Sequence, residues 1–328
     1  MKVTFLIGNG FDRAVSIGDR FIFDGNTSDT SYAGLKNCLS YFGFAKSELE
    51  KNFLVQNLDY SAWEDLLIEK FKDVDSKEGM NIFMKNKEQA IGYMMEAFRL
   101  WELQFDDSFL NCIYREFENS VTDFYSRMSK DNQTKLIAAL TERKLADHRI
   151  TLEFLTFNGT TVLNKLVKRL DNSGCKVNIG GEEYKINTGI KVHHVHSDIF
   201  NDKEYMSKAF GTTIEEDLQS PYIQISDTGL LKTNIQFENW ISDTDLFVVH
   251  GLSLGNCDKK YRIWVTNRIG EGAVLIDFPR RGKREKYSQT QNEREALFGF
   301  NSLTCDRIIV ELNDLFRTGN KGAVIFNF

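Results

Sequence analysis

Seven short runs rich in β-branched and aromatic residues constrain this chain most: Lys2 to Ile7, Thr151 to Phe157, Lys191 to His196, Asp245 to His250, Ala273 to Phe278, Arg307 to Glu311 and Ala323 to Phe328. Most are nearly continuous in apolar character, the pattern of strands buried on both faces of a mainly parallel sheet. Helical spacing follows several of them. After Asn158 come Val162, Leu163, Leu166, Val167 and Leu170, and after Gly255 come Tyr261, Trp264, Val265 and Ile269. Strand, loop and helix in alternation predict an α/β fold.

The expected architecture is a single domain over residues 1–328, a Rossmann-like, mainly parallel sheet with helices on both faces. Residues 34–148 read differently. From Ile91 to Met128 apolar residues recur every three or four positions with charges between them, which predicts a large helical insertion after the first strand. Such an insertion packs over the sheet or serves as a lid or partner surface. Polar stretches at Gly25 to Ser31, Asn172 to Gly181 and Pro279 to Asn292 read as loops.

Composition narrows the function classes. Aromatic residues make up 12% of the 328, with only 2 prolines, so the chain is not a low-complexity or disordered one. A net charge of −6, from 41 Lys and Arg against 47 Asp and Glu, leaves no overall basic field for nucleic acid or acidic lipid. The 5 cysteines are widely spaced with no CxxC pair, which argues against a zinc ribbon and a disulfide framework. Val3 to Ile7 is too short for a signal-peptide core, and no apolar run is long enough to span a bilayer. The expectation is a cytoplasmic protein without a membrane partner.

Four strand ends carry polar chemistry. The first strand runs into Gly8, Asn9, Gly10, Phe11 and Asp12, a turn whose backbone N–H groups suit a phosphate at a helix start. A tight structural turn has the same appearance, and Arg13 stands where a GxGxxG fingerprint has its third glycine. The second end is Thr156-Phe157-Asn158-Gly159-Thr160-Thr161. Asn158 offers a donor and an acceptor to a ribose hydroxyl or a water, and the threonines suit helix capping.

The third end holds His193, His194 and His196. Period-2 alternation puts His194 and His196 on one face and His193 on the other. Metal binding, with Asp198 as a third ligand, is the weaker reading, and no metal site is assigned; a general base at His196 is the stronger. The fourth end is Gly251-Leu252-Ser253-Leu254-Gly255, followed by Asp258. It fits the GxSxG nucleophile elbow, but no histidine follows His250 to complete that triad's order, so Gly251, Gly255 and Ser253 read as a second phosphate or ribose contact. These loops converge at the carboxyl edge of a parallel sheet, where open α/β folds bind ligands.

In combination the motifs resemble the AbiH family of bacterial phage-defence, or abortive infection, proteins. The resemblance rests on Ile7 to Asp12, Thr30-Ser31-Tyr32, Trp63 with Asp65, Thr156-Phe157-Asn158 with Thr160, His194 with His196, and Gly251, Ser253, Leu254, Gly255 and Asp258, in the family's order along nearly the whole chain. Departures are Gly159 where the family has an aromatic residue, Ser197 where it has glycine, and Leu252 where it has histidine.

That family is more distantly similar to sirtuin-like NAD-binding proteins. The similarity implies cleavage of the nicotinamide N-glycosidic bond of NAD or a related nucleotide, with Asn158 and His196 catalytic. It further implies nucleotide contacts from Gly8, Asn9, Gly10, Phe11, Asp12, Thr156, Thr160, His194, Gly251, Ser253, Leu254 and Asp258. No separate cofactor is implied, NAD being the substrate. A phage-derived trigger, an operon partner and a homo-oligomer are the partners it suggests. The alternatives are a nucleotide sensor acting through a partner and, behind it, a nuclease.

Overall fold

The computed structural model describes residues 1–15, 22–23, 26–27, 38, 75–103, 105–140, 147–196, 236–252, 258–279, 293–294, 296, 298, 307–311 and 315–316. The expected strand from Ala323 to Phe328 lies outside them. Strand β1 (Lys2–Ile7) is buried at every residue after Lys2, as its nearly continuous apolar run requires, with the Thr4 hydroxyl bonded to that of Thr244. Helix α1 (Asn9–Val15) follows, then the short pair β2 (Ile22–Phe23) and β3 (Asn26–Thr27). Further along, the described residues include the helices α2 (Lys77–Glu102), α3 (Asp107–Thr122) and α4 (Lys130–Ala139).

β4 (Arg149–Thr156) and α5 (Val162–Asp171) precede the hairpin of β5 (Lys176–Ile179) and β6 (Glu182–Ile186). After them the described residues form β7 (Lys191–His194), β8 (Leu246–His250), α6 (Lys259–Gly270), β9 (Val274–Phe278) and β10 (Ile308–Val310). The protein is thus a mixed α/β structure with a mostly parallel sheet.

Across that sheet the parallel strands run β10-β9-β8-β1-β4-β7. The chain winds outward from β1 through β4 to β7, then returns and adds β8, β9 and β10 on the other side. Winding therefore reverses between β1 and β8. Ile7 stands opposite both Thr156 and His250, and Thr156 stands opposite His194, so four strand-exit loops leave from one row at one edge.

Both faces are covered. On one, Phe5 stacks on Phe154 at 4.9 Å and meets Phe124 edge-on at 6.2 Å, while α3 supplies Phe117 and α5 supplies Leu163 and Leu166 to the same cluster. On the other, Leu6, Phe247 and Val249 pack with Phe237, Tyr261 and Val265. Each fully buried apolar side chain of this size contributes about 1.5–3 kcal/mol relative to leaving it in water.

Two segments differ from expectation. The apolar stripe from Ile91 to Met128 is shared by two helices: α2 ends at Glu102, and Asp106 starts α3 by accepting the Phe109 N–H at 2.7 Å. The polar stretch from Asn172 to Gly181 is not all loop: β5 and β6 pair antiparallel around Gly180 and Gly181, at φ +66° and +89°. Two consecutive residues at positive φ make the tight turn that joins right-twisted strands, and Gly-Gly reaches it without strain. Among the described residues no helix is long and apolar enough to cross a membrane.

Candidate functional site

The loops after β1 and β8 meet backbone to backbone. The Gly8 N–H donates to the His250 carbonyl and the Gly10 N–H to the Gly251 carbonyl, both at 3.0 Å. A Cβ on Gly251 would lie 2.5 Å from the Gly10 Cα, and Gly251 holds φ +59°. These glycines therefore permit close approach of two chains. The reading in which Gly8 and Gly10 offer free N–H groups to a phosphate is corrected on this point, since both groups already serve carbonyls. Phe11 does not face a ligand either: it is fully buried, edge-on to Phe316 at 5.0 Å and to Phe117 at 6.2 Å. Asn9, at the start of α1, is exposed.

The loop after β4 is held by its own polar side chains. Thr156 Oγ1 accepts the Asn158 N–H at 3.1 Å, a turn of the kind threonine favours. Asn158 Nδ2 donates to the Gly8 carbonyl at 3.1 Å, joining this loop to the glycine loop. Thr160 Oγ1 donates to Asp12 Oδ2 at 2.7 Å. Asp12 is 2% exposed. Burial pushes its carboxyl up to about 7, the Glu102 charge adds to the rise, and the Thr160 and Asn158 side chains oppose it.

His194 and His196 part company. β7 ends at His194, so alternation stops there and the chain turns. His194 lies within bonding distance of the Asn158 carbonyl through Nδ1, at 3.1 Å, and of Asn164 Oδ1 on α5 through Nε2, at 2.8 Å. His196 instead meets Asp258 Oδ1 through Nε2 at 3.2 Å, with its ring edge-on to Phe157 and Tyr261 at 5.6 and 5.8 Å. The expectation that both imidazoles share a face is corrected for this reason. His193 stacks on Trp240 at 4.4 Å, where burial holds its imidazole below the usual range.

Asp258 occupies the N-cap position of α6 yet makes no side-chain cap, and its carboxylate faces His196 instead. With Nε2–H donating to Asp258, the lone pair of His196 is on Nδ1, the tautomer a base requires. Among the described residues no group of three or more His, Cys, Asp and Glu is placed to hold a metal ion. Ser253, Leu254, Gly255, Thr30, Ser31, Tyr32, Trp63, Asp65, Ser197 and Asp198 lie outside the described residues.

Sequence reasoning missed Glu102, Lys165, Asp277 and Arg294. Glu102, 3% exposed at the end of α2, accepts the Thr161 N–H at 3.1 Å and the Thr161 hydroxyl, and pairs with Lys165 Nζ at 3.0 Å. Arg294 clasps Asp277 with two bonds, at 2.6 and 2.9 Å, and donates to the Leu252 carbonyl at 3.0 Å. In sequence each is one more charged residue among many, with no motif around it.

No protein-family model matches this chain, and no curated protein matches it in sequence.

Proposed function

We propose that the protein is a Rossmann-like, AbiH-type antiphage protein of the cytoplasm that hydrolyses the N-glycosidic bond of NAD or a related nucleotide. In this reading residues 1–328 are one domain, residues 34–148 are its helical insertion, and α2, α3 and α4 are parts of that insertion. The observation that carries the reading is the His196–Asp258 pair, 3.2 Å apart, which joins the residues after β7 and β8 at the carboxyl edge of a sheet whose winding reverses between β1 and β8. Crevices outside the carboxyl ends of strands at such a reversal are where open α/β sheets take nucleotides.

The chemistry follows from the groups at that edge. Nicotinamide leaves NAD as a neutral base, carrying the electron pair of the glycosidic bond, and needs no acid to depart. The sugar left behind has oxocarbenium character. Water adds at its anomeric carbon and gives its proton to His196 Nδ1, while Asp258 stabilises the resulting imidazolium. Asn158 is tied to the Gly8 carbonyl by its side-chain N–H and to His194 through its backbone carbonyl, and its side-chain Oδ1 is the group that orients a ribose hydroxyl or the water.

The test is nicotinamide release from NAD, followed by mass spectrometry with and without a phage-derived trigger. The wild-type chain is expected to release it, and Asn158→Ala and His196→Ala each to reduce release to background. Asp258→Asn, which disfavours the required tautomer, is expected to lower the rate about 10²-fold or more. Wild-type turnover in both alanine variants removes the site. Stoichiometric nucleotide binding without product replaces the enzyme with a sensor.

A further inference from the structure

Glu102 ends a 26-residue helix, where a carboxylate meets the negative end of the helix dipole. Its interactions lie elsewhere. Thr161 is the N-cap residue of α5 but makes no side-chain cap to its own helix, and its N–H and hydroxyl both go to Glu102. Glu102 thus supplies negative charge to the start of α5 from another part of the chain, at the helix end that favours it. One residue earlier, Thr160 donates to Asp12. Consecutive threonines therefore grip two buried carboxyl groups, one on α1 and one on α2, immediately after Asn158.

We propose that Asp12 and Glu102 are positioning residues for Asn158: through Thr160 and Thr161 they clamp the 156–161 loop so that the Asn158 amide stays on the Gly8 carbonyl. The inference rests on the reading of Asn158 as a site residue. The groups facing this pair are the Thr160 hydroxyl and Asn158 amide on Asp12, Thr161 and the Lys165 ammonium on Glu102, and His194 on the Asn158 carbonyl. Burial penalises an ionised Asp12 and the Glu102 charge adds to that penalty, so the clamp is tightest while Asp12 keeps its proton. Asp12, with burial as the main cause of its rise, loses that proton as pH passes about 7. The clamp then weakens.

Hydrogen–deuterium exchange of the full chain reads this without any substrate. After correction for intrinsic exchange, uptake in peptides covering residues 156–161 is expected to rise several-fold from pH 6 to pH 8, with β8 peptides unchanged. Asp12→Asn, which keeps an acceptor for Thr160 and cannot ionise, is expected to remove the rise, and Glu102→Gln, which takes away a charge that raises the Asp12 carboxyl, to move it to lower pH. A rise of equal size in wild type and Asp12→Asn overturns the clamp, as does no rise in wild type. Where nicotinamide is released, kcat/KM is expected to fall above pH 7 in wild type and to stay level in Asp12→Asn. A chain that releases none while its loop exchange follows this pattern keeps the clamp and loses the enzymatic reading.

Discussion

Gly251→Ala is expected to destabilise the protein by about 3 kcal/mol or more, from a forced methyl contact together with backbone strain. The methyl group would lie 2.5 Å from the Gly10 Cα and 2.9 Å from its carbonyl carbon, atoms of backbone that cannot rotate away. Alanine at φ +59° adds strain of its own. Relief requires the β1 and β8 loops to separate, which breaks the Gly10 to Gly251 bond. Calorimetry is expected to show a fall in Tm of roughly 6 °C or more. Gly92→Ala is the control: it lies inside α2 with nothing within 4 Å of the added carbon, and is expected to gain about 0.5–1 kcal/mol. Equal melting of Gly251→Ala and wild type would falsify the close-approach account.

The second large effect concerns Arg294. Its guanidinium and the Asp277 carboxylate are almost wholly removed from water, and the pair also holds the Leu252 carbonyl next to Ser253. Arg294→Met leaves Asp277 buried without its cation, and breaking such a pair costs about 3–5 kcal/mol. Burial already raises the Asp277 carboxyl, against the pull of Arg294, and without that pull it rises further. A carboxyl whose folded-state pKa is raised is tolerated as the neutral acid, and the folded state loses stability as pH climbs through that value. Denaturant melts are therefore expected to show a smaller deficit for Arg294→Met at pH 5 than at pH 8. The double change of Arg294→Met with Asp277→Leu is expected to recover most of the loss, because no charge stays buried. A double variant as unstable as the single one, or a deficit independent of pH, counts against the account.

The strands were legible because a strand buried on both faces has to be apolar almost throughout. β1 matches its predicted run at both ends, and β8 and β9 differ from theirs by one residue at the start. Helices α5 and α6 fall on the predicted spacing for the same reason. The β5–β6 hairpin was missed: Asn172 to Gly181 is rich in turn residues, and Val177 and Ile179 are too few for a strand signal until Tyr184 pairs opposite. At the candidate site, Asn158, His196, Asp258 and the glycine loops were visible at the ends of apolar runs. Which of them meet, and the buried charges Glu102 and Arg294 beside them, were not.

By itself, then, the order of the residues determined that apolar runs form a largely parallel sheet and that polar loops follow β1, β4, β7 and β8. Burial pattern is a local property, written within six or eight positions. Which groups meet across that edge was decided only by tertiary structure: Gly10 against Gly251, Glu102 against Thr161, Asp258 against His196, Arg294 against Asp277. Each pairing joins residues 17 to 241 positions apart. A buried charge or a close backbone contact depends on what the folded chain brings beside it, and no local spacing records that.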